Sequence, residues 1–144
     1  MTFNAMCARV QGVGLAMSLA ASLTFAQTHV GYDLTKSDVA FFEQLKSAVV
    51  EDEREWVASR VSFPILVRIG AERREVVDEG DFLSNYDVIM NCRVRTAISK
   101  QVSEELFKNW RGVMVGDGEL WFTAVVRSES QPDSLEFVII ALNN

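Results

Sequence analysis

Apolar residues recur at helical spacing between residues 39 and 49 of this chain. Thr35 and Asp38, three residues apart, stand just ahead of this stripe, where each side chain can bond the backbone N–H of the other in a capping box. The pattern therefore predicts an amphipathic helix that buries one face. The stripe consists of Val39, Phe42, Leu45, Ala48 and Val49.

A charged cluster, "EDERE" at residues 51–55, interrupts this stripe before apolar residues resume at Trp56, Val57 and Val61. The renewed spacing predicts a second, short helix. Trp56 is expected to be an anchor in the core or at the helix junction, because a buried indole contributes a large apolar area.

The next segment, "VSFPILVRIG", is rich in β-branched residues and predicts a strand. Pro64 cannot donate to a strand ladder, so it marks the first residue or an exposed edge of that strand. "AERR" then predicts a turn, and "REVVDE" predicts a returning strand. Together these segments predict a short hairpin.

A third helix is predicted to begin near Asp81, and its polar residues Asn85 and Asp87 turn away from its apolar face. The segment that follows, residues 93–106, carries an apolar ladder with a spacing of four but also contains the alternating stretch "RVRTAI". It therefore predicts either one helix or a strand followed by a helix. The apolar face of the third helix consists of Phe82, Tyr86, Ile89 and Met90, and the ladder of Val94, Ile98, Val102 and Leu106.

Three strands are predicted at the end of the chain, in "GVMV", "ELWFTAVV" and "LEFVIIAL". Neighbouring residues of a strand point to opposite faces of the sheet, and here both faces are apolar. Helices are expected to cover one face, and the other face is expected to enclose a pocket or to meet a second subunit. This second face is the first indication of a binding function.

The stretch "GVMVGDGELWF" raises the question of a ligand loop, since it places two carboxylates among three glycines. Asp117 and Gly118 favour a tight hairpin turn, because both residue types tolerate positive φ. A phosphate loop needs a lysine and a hydroxyl after its last glycine, whereas Glu119 and Leu120 stand there. We therefore expect a turn with both acids at its exposed tip.

Residues 1–26 differ from the rest of the chain and predict a secretory signal peptide. Arg9 is their single charge, an apolar segment follows it, and the small residue Ala26 precedes the expected cleavage point. A retained membrane anchor is the alternative, but polar residues interrupt the apolar run. We expect an exported protein, periplasmic or secreted, with a single domain at residues 27–144 and no membrane association after cleavage.

The charge balance of the chain argues against nucleic acid and anionic membrane surfaces as partners. The chain has 14 cationic and 20 acidic residues, so its net charge is −6. Removing residues 1–26 takes away Arg9 alone, which leaves 13 against 20 and a net charge of −7. An acidic domain of this kind suits a basic partner.

Candidate chemistry is sparse, and we expect neither a metal nor a cofactor. A calcium loop and a zinc site both need more ligands than the sequence supplies, and no serine nucleophile motif is present. The one polar cluster worth noting lies in "NYDVIMNCRVR", where Tyr86, Asp87, Arg93 and Arg95 are predicted to face one region. This cluster is interpreted as a solvated ion pair or, alternatively, as an anion-binding site.

The order of helices, short hairpin, helix and C-terminal antiparallel strands resembles the NTF2-like, cystatin-like α+β cone. More narrowly, "FLSNYDVIM", "NWRGVMVGDGELWF" and "VIIALNN" are similar to segments of small exported bacterial proteins of unknown function. The resemblance spans about residues 38–144 and implies helices packed on a curved antiparallel sheet that ends in a three-stranded meander. It also implies a cavity, which isomerases, dehydratases and ligand binders of that superfamily use.

Three hypotheses about function follow. The first is a non-enzymatic binding domain for a small ligand or a protein partner, of inhibitor or immunity type, with Trp110, Trp121 and Phe122 as contact residues. The second is a lyase, isomerase or hydrolase in which Asp87 and Tyr86 transfer protons within a polar pocket. The third is a homodimer in which two sheets pack face to face. The candidate binding residues are thus Tyr86, Asp87, Trp110, Trp121 and Phe122.

Overall fold

The computed structural model describes residues 32–126 and 135–144, so the predicted signal peptide lies outside the described residues. The described part is an α+β domain in which helices precede a C-terminal antiparallel sheet. The helices are α1 (Lys36–Val50), α2 (Arg54–Ser59), α3 (Glu79–Ser84), α4 (Tyr86–Ile89) and α5 (Cys92–Lys100), and a 3-10 turn spans Ser103–Glu105. The strands are β1 (Ile65–Ile69), β2 (Glu72–Val76), β3 (Phe107–Asn109), β4 (Gly112–Val115), β5 (Leu120–Val126) and β6 (Leu135–Leu142).

Helix α1 begins with the capping box that the sequence predicts. Thr35 Oγ1 accepts from the Asp38 backbone N–H at 3.1 Å, and Asp38 Oδ2 accepts from the Thr35 N–H at 2.7 Å. These bonds satisfy N–H groups that the first helical turn leaves without partners. The predicted helix and its buried face are confirmed. The buried apolar residues of α1 are Phe41, Phe42, Leu45, Ala48 and Val49.

The hairpin β1–β2 is confirmed, but its turn is shorter than the sequence predicts. Ile69 pairs with Glu72, so the turn consists of Gly70 and Ala71 alone. Gly70 has a φ of 67°, which permits this tight reversal. The charged residues of "AERR" therefore lie mostly in β2, where an exposed strand face accommodates them.

The predicted third helix is divided at Asn85 into α3 and α4. The Asn85 side-chain amide donates to the Asp81 carbonyl at 2.9 Å, and such side-chain bonds to the backbone compete with a regular helix. The predicted apolar face is nevertheless buried as expected. Neither alternative for residues 93–106 is fully correct: the segment begins as helix α5 rather than as a strand, but the helix ends at Lys100 and a 3-10 turn then leads to β3. Val102 of the predicted ladder is 48% exposed.

The C-terminal sheet has four antiparallel strands in the order β3-β4-β5-β6, one more than the predicted three-stranded meander. The missed strand, β3, is only three residues long. Between Trp121 and Phe122 the pairing of β5 with β6 shifts, which leaves Ile140 as an extra residue on β6. A bulge of this kind bends the strand and increases its local twist.

An aromatic cluster fixes the helices on one face of this sheet. The ring centroid of Phe41 in α1 lies 4.9 Å from that of Phe122 in β5 and 5.0 Å from that of Phe137 in β6. Trp56 of α2 stacks on Phe41 with 6.1 Å between centroids, so the predicted role of Trp56 as an anchor is confirmed. The helices therefore cover one apolar face of the sheet, as expected.

Among the described residues, no helix combines the length and apolar composition needed to cross a membrane.

Candidate functional site

The face of the sheet that points away from the helices carries a row of large apolar side chains. Strand register places Phe107 of β3 opposite Met114 of β4, and Met114 opposite Trp121 of β5. Directly opposed residues of antiparallel strands share a face, so these three side chains form one row across the sheet. Phe107 is 45% exposed. Met114 and Trp121 are half-buried.

Trp110 lies in the β3–β4 turn and is the most exposed large hydrophobic residue of the described chain, with 76% of its surface accessible. The Arg111 guanidinium lies 5.8 Å from the ring centroid of Trp110 and 5.8 Å from that of Trp121. Each distance is within the range of a cation–π interaction, so Arg111 joins the two indoles. We call the set Phe107, Trp110, Arg111, Met114 and Trp121 the Trp110 surface.

Local backbone geometry fixes Trp110 and Arg111 in place. Asn109 pairs with Gly112, so Trp110 and Arg111 are the two central residues of the β3–β4 hairpin turn. The Asn109 side chain accepts from the Arg111 N–H at 2.8 Å, as Asn does in many turns. The Trp110 indole therefore lies on a short turn that a hydrogen bond fixes, and it is exposed to solvent.

Three exposed acidic residues lie close in sequence to the residues of the Trp110 surface. Glu104 and Glu105 precede β3 and are exposed, and Asp117 is exposed in the β4–β5 turn. Glu105 and Asp117 line the same groove of about 560 Å³ between α5 and that turn. This turn and the start of β3 lie at the end of the sheet opposite the β3–β4 turn, so these acids lie at the far end of the sheet from Trp110.

The predicted hairpin between β4 and β5 is confirmed, but its turn has four residues, 116–119, and positive φ occurs at the two glycines rather than at Asp117. Gly116 and Gly118 have φ values of 64° and 105°. Glu119 Oε2 accepts from the Asp117 N–H at 2.7 Å, while Arg93 Nε donates to Glu119 Oε1 at 3.0 Å. The Glu119 carboxylate therefore holds the turn together, and nothing in this arrangement requires a ligand.

Glu119 does not lie at the exposed tip of the turn, so that part of the prediction is wrong. Its side chain folds back under the turn and is buried, whereas Asp117 is exposed. Burial raises the pKa of the Glu119 carboxyl, but hydrogen bonds from its own N–H, from Arg93 and from the Asp117 N–H outweigh burial and hold the pKa below its ordinary value. Glu119 is therefore an ionised structural group.

Asp87 belongs to a closed ring of four charges. Asp87 binds Arg54 at 2.9 Å and Arg95 at 3.3 Å, and Asp52 binds the same two arginines at 3.0 and 3.5 Å. Arg93, predicted to join this cluster, pairs with Glu119 instead. The four charges cancel, and the ring connects the α1–α2 turn with α2, α4 and α5.

Tyr86 lies beneath this ring of charges and is 1% exposed. The Arg54 and Arg95 guanidinium groups are 4.9 and 5.4 Å from its ring centroid. Its hydroxyl is buried and has no hydrogen-bond partner in the described part of the chain, and burial raises the pKa of that hydroxyl. The Asp87 side chain is 69% exposed, so it does not lie in the deep polar pocket that the hypothesis of proton transfer by Asp87 and Tyr86 predicts.

Phe122 does not contribute to the exposed face. Its side chain is fully buried against Phe41 on the helix side, because it follows Trp121 directly and consecutive strand residues point to opposite faces. Of the predicted contact residues, the structure therefore brings Trp110 and Trp121 together and separates Phe122, Tyr86 and Asp87 from them. Sequence reasoning missed Phe107, Arg111 and Met114, whose shared face follows from strand register.

Within the described residues, no group of three or more His, Cys, Asp and Glu side chains is placed to hold a metal ion. No family model, no curated protein and no solved structure matches this chain. The resemblance to the NTF2-like cone consequently stays a prediction, and function is argued from the geometry of the chain itself.

Proposed function

We propose that this protein is a non-enzymatic binding domain that docks a basic protein partner on the Trp110 surface. The observation that carries the proposal is the exposed Trp110 indole, held on a two-residue turn and joined through Arg111 to Trp121. Leaving so large an apolar group in water is unfavourable for an isolated domain. A partner that covers it recovers that free energy on binding.

The composition of the surface favours a protein over a small ligand. Trp and Arg are the residues most enriched among those that dominate the affinity of protein interfaces. The row across β3, β4 and β5 is an open strand face rather than an enclosed cavity, and small-molecule sites are concave. An open row with a projecting aromatic anchor fits a partner that offers a complementary apolar patch.

Charge favours a basic partner. The chain has a net charge of −6, so the protein as a whole attracts a basic partner. Long-range attraction between opposite charges accelerates encounter and selects against acidic competitors. Arg111, the cation within the surface, lies between two indole rings.

We extend the proposal to the fold family and the compartment. The antiparallel sheet with its bulge and with helices on one face supports an NTF2-like cone, and the sequence of residues 1–26 supports export. An inhibitor or immunity protein that acts on a basic partner outside the cytoplasm combines these features.

The test is site-specific photo-cross-linking in the cells that produce the protein. Trp110 is replaced by benzoylphenylalanine in one variant, and Val50 is replaced in the matched control. Val50 is also an exposed apolar residue, but it lies at the end of α1, in the helix layer. After irradiation, mass spectrometry identifies the products.

The proposal predicts one discrete protein of basic isoelectric point that is cross-linked from position 110 and not from position 50. A product with twice the mass of the chain would instead establish the homodimer and overturn the proposal. An acidic product, equal cross-linking from both positions, or no product from position 110 would also overturn it.

A further inference from the structure

A second cavity, of about 530 Å³, lies between the β1–β2 hairpin and the end of β6, and it is distinct from the Trp110 surface. Three arginines line it, and no acidic residue does. In a chain with 20 acidic residues and a net charge of −6, this cavity stands out because all of its charged side chains are cationic. Its lining consists of Ile65, Leu66, Val67, Arg68, Arg73, Arg93, Ile140, Ala141, Leu142, Asn143 and Asn144.

Two of these arginines face each other directly. Arg68 of β1 is the register partner of Arg73 of β2, so their side chains leave the same face of the hairpin. Like charges directly opposite one another destabilise a strand pair. Neither guanidinium makes an ion pair with any residue in the described ranges. The hairpin thus holds two like charges opposite one another, and neither is ion-paired within the described ranges.

The acids near the hairpin form no ion pair with Arg68 or Arg73. Glu75 pairs with Leu66 on the arginine face, but it does not line the cavity and binds neither arginine. Asp81 binds Arg74, whose side chain leaves the other face of the hairpin. An external anion is therefore the simplest source of the missing negative charge.

The third arginine and the chain segment 143–144 complete the cavity. Arg93 uses Nε to bind Glu119, and its side chain is 63% exposed, so its remaining N–H groups are available. The Asn144 amide bonds both the N–H and the carbonyl of Arg68, at 2.8 and 2.6 Å. The Asn144 amide thus bonds Arg68 as a neighbouring strand would, and it fixes the backbone at Arg68.

We propose that this cavity binds a small organic anion through a carboxylate or phosphate group held between Arg68 and Arg73, with Arg93 contributing further donors. Guanidinium groups bind both oxyanions through paired N–H donors. Leu66 and Ile140 supply an apolar wall for the body of the ligand, and Ile140 is the extra residue of the β6 bulge. The volume lies within the range of small-molecule sites.

The experiment uses two probes, inorganic phosphate and citrate, against the protein labelled with ¹⁵N. The Nε–H resonances of the arginines are followed during titration, and thermal unfolding is recorded with and without each probe. The proposal predicts saturable shifts of the Arg68 and Arg73 resonances and a higher melting temperature with bound anion. Stronger binding of phosphate identifies a phosphoryl ligand, and stronger binding of citrate identifies a polycarboxylate.

The variant Arg68→Gln/Arg73→Gln should weaken probe binding at least about tenfold. It should remain folded, since it removes a repulsive pair. The matched control Lys36→Gln/Lys100→Gln removes two exposed cations outside this cavity and should bind the probes about as well as the unmodified protein. Equal weakening in both double variants would show general electrostatic attraction and overturn the proposal. Titration without saturable shifts at Arg68 and Arg73 would overturn it as well.

Discussion

Asp38 at the start of α1 and Lys108 in β3 form a buried ion pair, with 2.6 Å between Oδ2 and Nζ. The pair joins residues 70 positions apart and fixes the short edge strand that leads into Trp110. Asp38 is 2% exposed, and it also accepts from the Thr35 N–H and hydroxyl. One carboxylate therefore caps the first helix and positions the edge of the sheet.

Replacing Asp38 with Asn should lower the free energy of unfolding by about 3 kcal/mol, because it leaves the Lys108 ammonium without its partner. Urea denaturation measures this change. Lys108→Met is the second arm of a double-mutant cycle, and the combined variant should lose less stability than the two single losses added together. Strict additivity would show that the two groups do not interact.

Stability should fall in acid through Asp38 and Glu119. Burial opposes ionisation of Asp38, but hydrogen bonds from Lys108 and Thr35 outweigh it, so the pKa of Asp38, like that of Glu119, lies below its ordinary value. The unfolded chain therefore binds protons more readily than the folded chain. Ionised Asp38 and Glu119 stabilise the folded chain fully when the pH is above their ordinary pKa values, 3.8 and 4.5 respectively. This stabilisation is lost as the pH falls through the lower pKa values that the two groups have in the folded chain.

Denaturation between about pH 2 and pH 7 tests this dependence. Glu119→Gln should be less stable than the unmodified protein near neutrality and should show a shallower decline in acid. Glu104→Gln is the control, because Glu104 is exposed and makes no ion pair with a described residue. An equally steep decline in the Glu119 variant would contradict the assignment.

Alanine substitutions at Gly70 and Gly116 distinguish the free-energy cost of backbone strain from the cost of a steric clash. A Cβ at Gly116 would lie 2.5 Å from Glu119 Oε2 and 2.9 Å from the Ala97 Cβ, whereas a Cβ at Gly70 would meet nothing within 4 Å. Both residues have similar positive φ values, 64° and 67°. Gly70→Ala should cost about 1 kcal/mol and Gly116→Ala about 2–4 kcal/mol. Equal losses of stability in thermal unfolding would show that the β4–β5 turn accommodates the added methyl group at no cost.

Tyr86→Phe should leave stability unchanged or raise it by up to about 1 kcal/mol. The hydroxyl is buried without a partner in the described ranges, and removing an unpaired polar group relieves a desolvation cost. Phe82→Leu is a useful reference, because it also alters a fully buried ring of the same aromatic contact but should destabilise. A loss of more than about 1 kcal/mol in Tyr86→Phe would reveal a hydrogen bond to the hydroxyl.

The sequence predicts those elements whose determinants are local. The capping-box residues Thr35 and Asp38 predict the start of α1, and the runs of β-branched residues predict β5 and β6. Strand β3 is not predicted, because it has only three residues and one of them is the charged Lys108. The partner that fixes Lys108 is Asp38, which is distant in sequence. The division of the third predicted helix at Asn85 is not predicted either, because it depends on a single hydrogen bond from the Asn85 side chain to the Asp81 carbonyl.

The candidate site is partly predictable for the same reason. Trp110 and Trp121 stand out as large aromatics near a turn, but their connection through Arg111 depends on a two-residue turn whose bounds the sequence leaves open. The sequence predicts both Trp121 and Phe122 as contact residues, but alternation along β5 points them to opposite faces, and Phe122 is buried on the helix side. The opposition of Arg68 and Arg73 likewise requires the register that the Gly70–Ala71 turn sets.

The most direct test of the Trp110 surface is the affinity of the purified cross-linked partner, measured by calorimetry at low and high salt. Trp110→Ala should raise the dissociation constant at least about tenfold, as expected for a central aromatic anchor, without lowering the melting temperature. Val50→Ala should leave affinity unchanged, and salt should weaken binding to the unmodified protein. If Trp110→Ala binds as tightly as the unmodified protein, the partner docks elsewhere and the Trp110 surface is not the recognition site.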